Sequence, residues 1–162
     1  MYFPTVTWGS VTVTFYEKLP IGLRNCEESN ALVFVFHSGK LLLANIAGRG
    51  WTIPGGRKEV GESAVETAER EAFEETGAVI STPVCIGSYL MSSLQNGAAN
   101  WRCVPTFVAK ALSVNSIPSG SEALGTRLID RESLQSVYYI WDDLIEAVCN
   151  FAFVRAEELE IL

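Results

Sequence analysis

The segment from Ser63 to Gly77 constrains this chain more than any other, because it specifies a helix at both ends and loads it with charge that a helix alone disfavours. Ser63 is a good N-cap, and Glu66 three residues later completes a capping box while placing negative charge at the positive end of the helix dipole. Gly77 stands where a left-handed C-cap is expected. Ala64, Ala68 and Ala72 recur every fourth residue, a small-residue stripe that lets the helix lie close against a sheet. Glu71, Glu74 and Glu75 then place three carboxylates within about one turn of each other. Like charges at that spacing cost a few tenths of a kcal/mol per pair in water, so something must compensate. Arg70 does so in part; a hard divalent cation would do so better, since carboxylate oxygens are the ligands Mg²⁺ prefers. A solvated acidic face is the ordinary alternative.

The remaining sequence supplies strands around this helix. ALVFVF (31–36) and LLLANI (41–46) are apolar runs joined by a Ser-Gly turn, the signature of a hairpin of largely buried strands. Thr5–Tyr16, Val84–Met91 and Arg102–Leu112 read as further strands, with a bulge or edge expected at Pro105. Ser92–Asn100 and Ser113–Ser121 read as loops, and a second helix is expected from about Trp141 to Leu159. A mixed α/β (α+β) layer fold follows, and 162 residues with 48% hydrophobic content predict one domain over 1–162.

Composition narrows the function. A net charge of −7 argues against a partner that is duplex nucleic acid, whose binding rests on cationic phosphate contacts. The longest unbroken apolar run, Ala31–Phe36, is far short of the roughly 18 residues a membrane span needs, and the first basic residue, Lys18, leaves no signal-peptide pattern. A cytosolic (cytoplasmic) protein with no membrane partner is expected. Cys26, Cys85, Cys103 and Cys149 form no C-x-x-C pair and read as free thiols, while the single histidine, His37, sits in a turn and suggests neither a zinc site nor a catalytic triad.

The acidic helix gains its meaning from a longer pattern. Gly56, five residues, Glu62, seven residues, then Arg70-Glu71-Ala72-Phe73-Glu74-Glu75-Thr76-Gly77-Ala78 resembles the Nudix box, GX5EX7REUXEEXGU with U aliphatic, and every fixed position is present. The preceding Trp51-Thr52-Ile53-Pro54-Gly55-Gly56 also resembles the family's approach to the box. The resemblance implies an α/β/α sandwich around a mixed β-sheet, and hydrolysis of the pyrophosphate linkage of a nucleoside diphosphate derivative with Mg²⁺ or Mn²⁺. By the same resemblance Glu71, Glu74, Glu75 and the Gly55 carbonyl hold metal, Glu74 and Glu75 belong to the catalytic set, and Glu62 and Arg70 orient the glutamates. Helix geometry agrees on one point, since residues 71 and 75 lie one above the other.

Glu122, the only acid between the box and Asp130, is the candidate general base, a role the family often gives to a Glu on a later loop, or an extra metal ligand. The box region 57–78 holds three basic and seven acidic residues and 130–162 two and eight, so the remainder is net +3. Arg49 and Arg102 from that remainder, with Arg57 and Lys58 at the start of the box region, are candidates to meet substrate phosphates. Trp51, Trp101 and Tyr89 are candidates to stack a base, although such residues more often pack in a core. Asp142 is a candidate base-reading residue, with N-capping of the last helix as its competing role. The window Met91-Ser92-Ser93-Leu94-Gln95-Asn96 lacks the second motifs of the ADP-ribose, dinucleoside polyphosphate and NADH branches. By elimination the chain resembles the MutT-like enzymes that convert nucleoside triphosphates, oxidised ones included, to monophosphates. ADP-ribose, an NDP-sugar, a dinucleoside polyphosphate or a capped RNA end is the alternative substrate. A non-catalytic nucleotide-binding domain is disfavoured by the intact Glu71, Glu74 and Glu75. A homodimer is plausible for the family.

Overall fold

Alternation along two strands decides how the layers stack. In the computed structural model, which describes all residues from Met1 to Leu162, β4 (Asn30–His37) and β5 (Lys40–Ile46) form the expected hairpin, with Ser38 and Gly39 both at positive φ as a two-residue turn requires. Ala31, Val33, Val35 and Leu42 point to one face of the sheet, and Phe34, Phe36, Leu41 and Leu43 to the other. Both faces are buried, so the strands read as continuous apolar runs.

Around this hairpin the chain lays down β1 (Val6–Trp8), β2 (Val11–Tyr16) and β3 (Glu27–Glu28) before it, and β6 (Gly50–Thr52) and β7 (Gly55–Arg57) after it. The helix α1 (Ala64–Thr76) follows, then β8 (Ala78–Ile80), β9 (Val84–Gln95), β10 (Ala98–Val114), β11 (Ala123–Ile129), and the helices α2 (Leu134–Val137) and α3 (Asp143–Glu158). The main sheet order is β1-β2-β9-β10-β4-β5-β11, with β3 and β8 paired to β10, β6 to β5 and β7 to β4. β10 runs parallel to β4 and β3, and the other pairings are antiparallel, so the sheet is mixed.

The two faces are covered differently. On one, α3 sets Leu144, Val148, Cys149 and Phe153 against Phe34, Phe36, Leu41 and Leu43, with Phe36 and Phe153 edge to face at 5.0 Å. On the other, α1 lays Ala68 and Ala72 on Ala31, Val33, Val35, Ala109 and Ala111. Alanine on both sides brings this helix close to the sheet, as its four-residue stripe implies. The result is the α/β/α sandwich expected from the sequence. No helix is long and apolar enough to cross a membrane.

Some boundaries differ from expectation. Thr5–Tyr16 is a hairpin rather than one strand, broken at Gly9 with φ 61°. Ser92–Asn100 is not a loop: β9 and β10 pair continuously out to Gln95 and Ala98 and turn on Asn96-Gly97, both at positive φ. The last helix begins at Asp143, capped by Asp142, instead of at Trp141. Pro105 is accommodated where β10's neighbour changes from β3 to β4, and the register with β9 shifts just beyond it, between Thr106 and Phe107.

Candidate active site

The capping chemistry of α1 forms as the sequence specifies. The Glu66 N–H donates to Ser63 Oγ, the Ser63 N–H donates to Glu66 Oε2, and Gly77 ends the helix at φ 70°. With the helix ends fixed, the register of the glutamates follows. Glu71 and Glu75 are buried, at 9% and 8% exposure, and Glu74 remains exposed.

Facing them is a backbone strip that must be glycine. The Gly55 N–H donates to Glu75 Oε2 at 3.1 Å. A Cβ on Gly56 would fall 2.2 Å from Glu71 Oε1, so any side chain there would displace that carboxylate. β7, which carries both glycines, is held in turn by antiparallel pairing of Gly55 with Leu32 and Gly56 with Ala31.

Arg70 is the hub of the charge network. Its Nε donates to Glu62 Oε1 at 2.6 Å, one terminal nitrogen donates to Glu71 Oε1 at 2.8 Å and Glu74 Oε2 at 3.0 Å, and the other to the Arg57 carbonyl at 2.8 Å and Glu62 Oε2 at 3.1 Å. The guanidinium hydrogen bond holds the Glu62 carboxyl at about 2, with the Glu59 N–H assisting. The same contacts push Arg70 above its ordinary value. Burial dominates at Glu71, which is raised although Arg70 opposes the shift, and at Glu75, which burial pushes up to about 7 against the Gly55 hydrogen bond. Two buried carboxylates on one helix face are thus only partly neutralised by protein groups.

Glu71, Glu74 and Glu75 line a cleft of about 710 Å³ whose side chains are mostly polar or charged, with Leu32 the large apolar one. Gly55, Gly56, Arg49 and Arg57 line it too, and Glu122 closes it from the Pro118–Glu122 loop. That loop docks on the turn after β5, where the Ala47 N–H donates to the Glu122 carbonyl. Neither Arg49 nor Arg57 makes a salt bridge, so two free cations face the carboxylates. No three carboxylates converge on one point as a ready-made cation cage, because Glu71 is turned toward Arg70 and Glu75 toward the Gly55 N–H.

The other candidates lie elsewhere. Trp51 packs against the larger core and its carbonyl accepts from the Tyr139 N–H. Tyr89 is buried edge to face with Phe15. Trp101 and Arg102 are exposed on β10 outside the cleft lining, and Lys58 is also outside it. Asp142 caps α3 by accepting from the Ile145 N–H and also accepts from Trp8 Nε1 at 2.7 Å. Sequence reading missed Asn30, Ser119 and Ser121, which line the cleft. The Pro118-Ser119-Gly120-Ser121 run signalled only a loop, and nothing local marked Asn30.

A family model described as NUDIX domain matches residues 27–142. Among solved structures, the Bacillus subtilis pyrophosphohydrolase BsRppH superposes with a TM-score of 0.75 at 20% identity, covering 96% of this chain and 98% of that one. The MutT protein of Bacillus halodurans gives 0.54 at 20% identity, covering 76% and 80%. An ADP-ribose pyrophosphatase of Streptococcus suis gives 0.54 at 14%, covering 79% and 90%. No curated protein matches the chain.

Proposed function

The chain belongs to the Nudix family, and on this premise we propose that it is a pyrophosphohydrolase that converts a nucleoside triphosphate to the monophosphate and pyrophosphate with Mg²⁺ or Mn²⁺. The observation that carries the reading is the shared cleft: two underneutralised buried carboxylates, two unpaired arginines and a loop glutamate line one polar cavity.

The site suits a hard divalent ion. Its donors are carboxylate oxygens and backbone carbonyls, glycines let backbone and carboxylates approach closely, and the buried charge still needs a cation. Mg²⁺ commonly binds through one or two carboxylates plus waters and substrate phosphates, so a preformed cage is unnecessary. Glu71, Glu74, Glu75 and the Gly55 carbonyl are the groups that would hold it. When bound, the ion neutralises phosphate oxygens and lowers the pKa of water.

The chain's own residues supply the remaining steps. Arg49 and Arg57 bind the phosphate oxygens by charge-assisted hydrogen bonds. Arg70, itself fixed by Glu62, holds Glu71 and Glu74 in place. A water oxygen attacks phosphorus, the bridging P–O bond breaks with its electrons going to the departing pyrophosphate, and Glu122 accepts the proton lost by the water. A larger leaving group is the second reading, such as an ADP-ribose, NDP-sugar, dinucleoside polyphosphate or capped RNA substrate. It is favoured by the absence of an aromatic from the cleft lining, which leaves the groups beyond the phosphates unenclosed.

The test is turnover of canonical and oxidised nucleoside triphosphates, ADP-ribose, NDP-sugars and dinucleoside polyphosphates with Mg²⁺, beside Glu75→Gln. Monophosphate released from triphosphates and lost in the variant supports the proposal. Turnover confined to the other substrates overturns the triphosphate assignment while keeping the chemistry.

A further inference from the structure

The segment that leads into Gly55 is held by a hydroxyl from a distant part of the sequence. β6 pairs with β5 on one side, and on the other Trp51 forms an isolated parallel bridge with Tyr138, where the Tyr139 N–H donates to the Trp51 carbonyl at 2.9 Å. From there the Tyr138 side chain reaches along the strand. Its hydroxyl accepts from Thr52 Oγ1 at 3.1 Å and from the Ile53 N–H at 3.4 Å. Thr52 and Ile53 are buried, at 6% and 3% exposure, so water cannot replace this partner.

The chain then runs straight into the site. The Pro54 carbonyl accepts from the Val33 N–H at 3.0 Å, and the next residue, Gly55, donates to Glu75. Only two residues separate the last atom Tyr138 holds from the backbone that meets the glutamates. Tyr138 is absent from the cleft lining and touches none of its carboxylates. Anything it does for the site passes through the loop.

We infer that Tyr138 is a positioning residue, whose hydroxyl fixes Thr52–Ile53 and thereby sets the Gly55 backbone against Glu75 for cation binding. This rests on the reading that Gly55 and Glu75 hold the metal. Groups that orient ligands in this way are typically worth about 10- to 100-fold in metal affinity or activity. Tyr138 acts one step further out, through a 3.4 Å bond, and the lower end of that range is the expectation.

The experiment is a Mn²⁺ titration of the full chain followed by electron paramagnetic resonance of free Mn²⁺, without nucleotide. It compares wild type, Tyr138→Phe and Val148→Ala, the last a fully buried position on α3 that lowers thermal stability through packing alone. Tyr138→Phe, which keeps the ring, should weaken Mn²⁺ binding by about tenfold. Val148→Ala should bind as wild type despite a comparable fall in Tm. Unchanged binding in Tyr138→Phe, or an equal loss in Val148→Ala, overturns the inference. A wild type that binds no Mn²⁺ overturns the metal reading and the inference together. Should Tyr138→Phe not fold, Thr52→Val removes the other hydroxyl of the pair and is judged by the same criteria.

Discussion

Replacing Arg70 with Gln tests whether this helix is stable only because one guanidinium serves several carboxylates. The substitution removes four contacts to Glu62, Glu71 and Glu74 and one to the Arg57 carbonyl. Glu74 is exposed and hydrates at little cost, and Glu62 keeps the Glu59 N–H and the Thr67 hydroxyl, so the penalty falls chiefly on Glu71, left charged and unpaired in a buried position. Breaking a fully buried pair from one side costs about 3–5 kcal/mol, and with Arg70 itself 20% exposed the discounted figure is about 2–3 kcal/mol. For a chain of this size each kcal/mol moves Tm by about 2–4 °C, giving a fall of about 4–12 °C in EDTA at pH 7.5. The sign with pH follows from Glu71. Burial raises its carboxyl, so the share that is ionised in the folded protein, and with it the need for the guanidinium, falls as pH drops. The gap between wild type and variant, followed by thermal melts, should therefore narrow at pH 4. A gap that stays the same from pH 7.5 to pH 4 would instead assign the loss to packing of the arginine stem. Arg70→Lys should fall between the two, because a single ammonium cannot reproduce the fork.

Four other outcomes can be measured on the same protein. Gly56→Ala places a Cβ 2.2 Å from Glu71 Oε1, and the displaced carboxylate should lower kcat/KM about 100-fold or more in a steady-state assay. Glu122→Gln, if Glu122 is the base, should cut kcat by about 10²–10⁴ while leaving Mn²⁺ affinity near wild type, read by turnover and by direct metal titration. Glu75→Gln should abolish turnover yet stabilise the metal-free protein. Its carboxyl sits at about 7 folded against 4.5 unfolded, so ionising it opposes folding: metal-free stability should fall as pH rises from about 4.5 to 7, by at most about 3 kcal/mol. The variant's Tm in EDTA should lack that fall. Ala72→Leu should cost about 1–3 kcal/mol by overpacking the α1 face, seen as a lower denaturation midpoint.

What could be read from the sequence divides by the range of the interaction. The α1 caps and the β4–β5 hairpin were legible because each is set by contacts within a few residues. The pairing of Ser92–Asn100 was not, because β9 and β10 extend past the core there and carry no apolar alternation; Asn96-Gly97 was the one local sign of a tight turn. The box residues come together because a single helix and the strip before it carry most of them. Trp51, Trp101 and Asp142 depend instead on strand register and on what packs against them, which residue type does not reveal. Tyr138 is the extreme case: it meets Thr52 and Ile53 across more than eighty residues of sequence, with no motif around it.

The alanines and the glycines of this chain answer the same geometric demand. A helix packed on large side chains stands well off its sheet, and carboxylates at residues 71 and 75 would then sit in water with ordinary acidity. Here the alanines Ala68 and Ala72 meet Ala31, Ala109 and Ala111 beside Val33, Val35, Leu42 and Phe107, and the next face of the helix sets Glu71 against Gly56 and Glu75 on the Gly55 N–H. Burial of Glu71 and Glu75 is therefore a consequence of thin packing on the neighbouring face, and so is their reluctance to ionise without a cation. The opposite face, filled with phenylalanine and leucine from β4, β5 and α3, supplies the hydrophobic burial that offsets this cost. Stability and chemistry thus fall mainly on opposite sides of one sheet, with Tyr138 the tie between them, and volume changes among the apolar side chains of α3 should change Tm with far less effect on the cleft than equal volume changes on the α1 side.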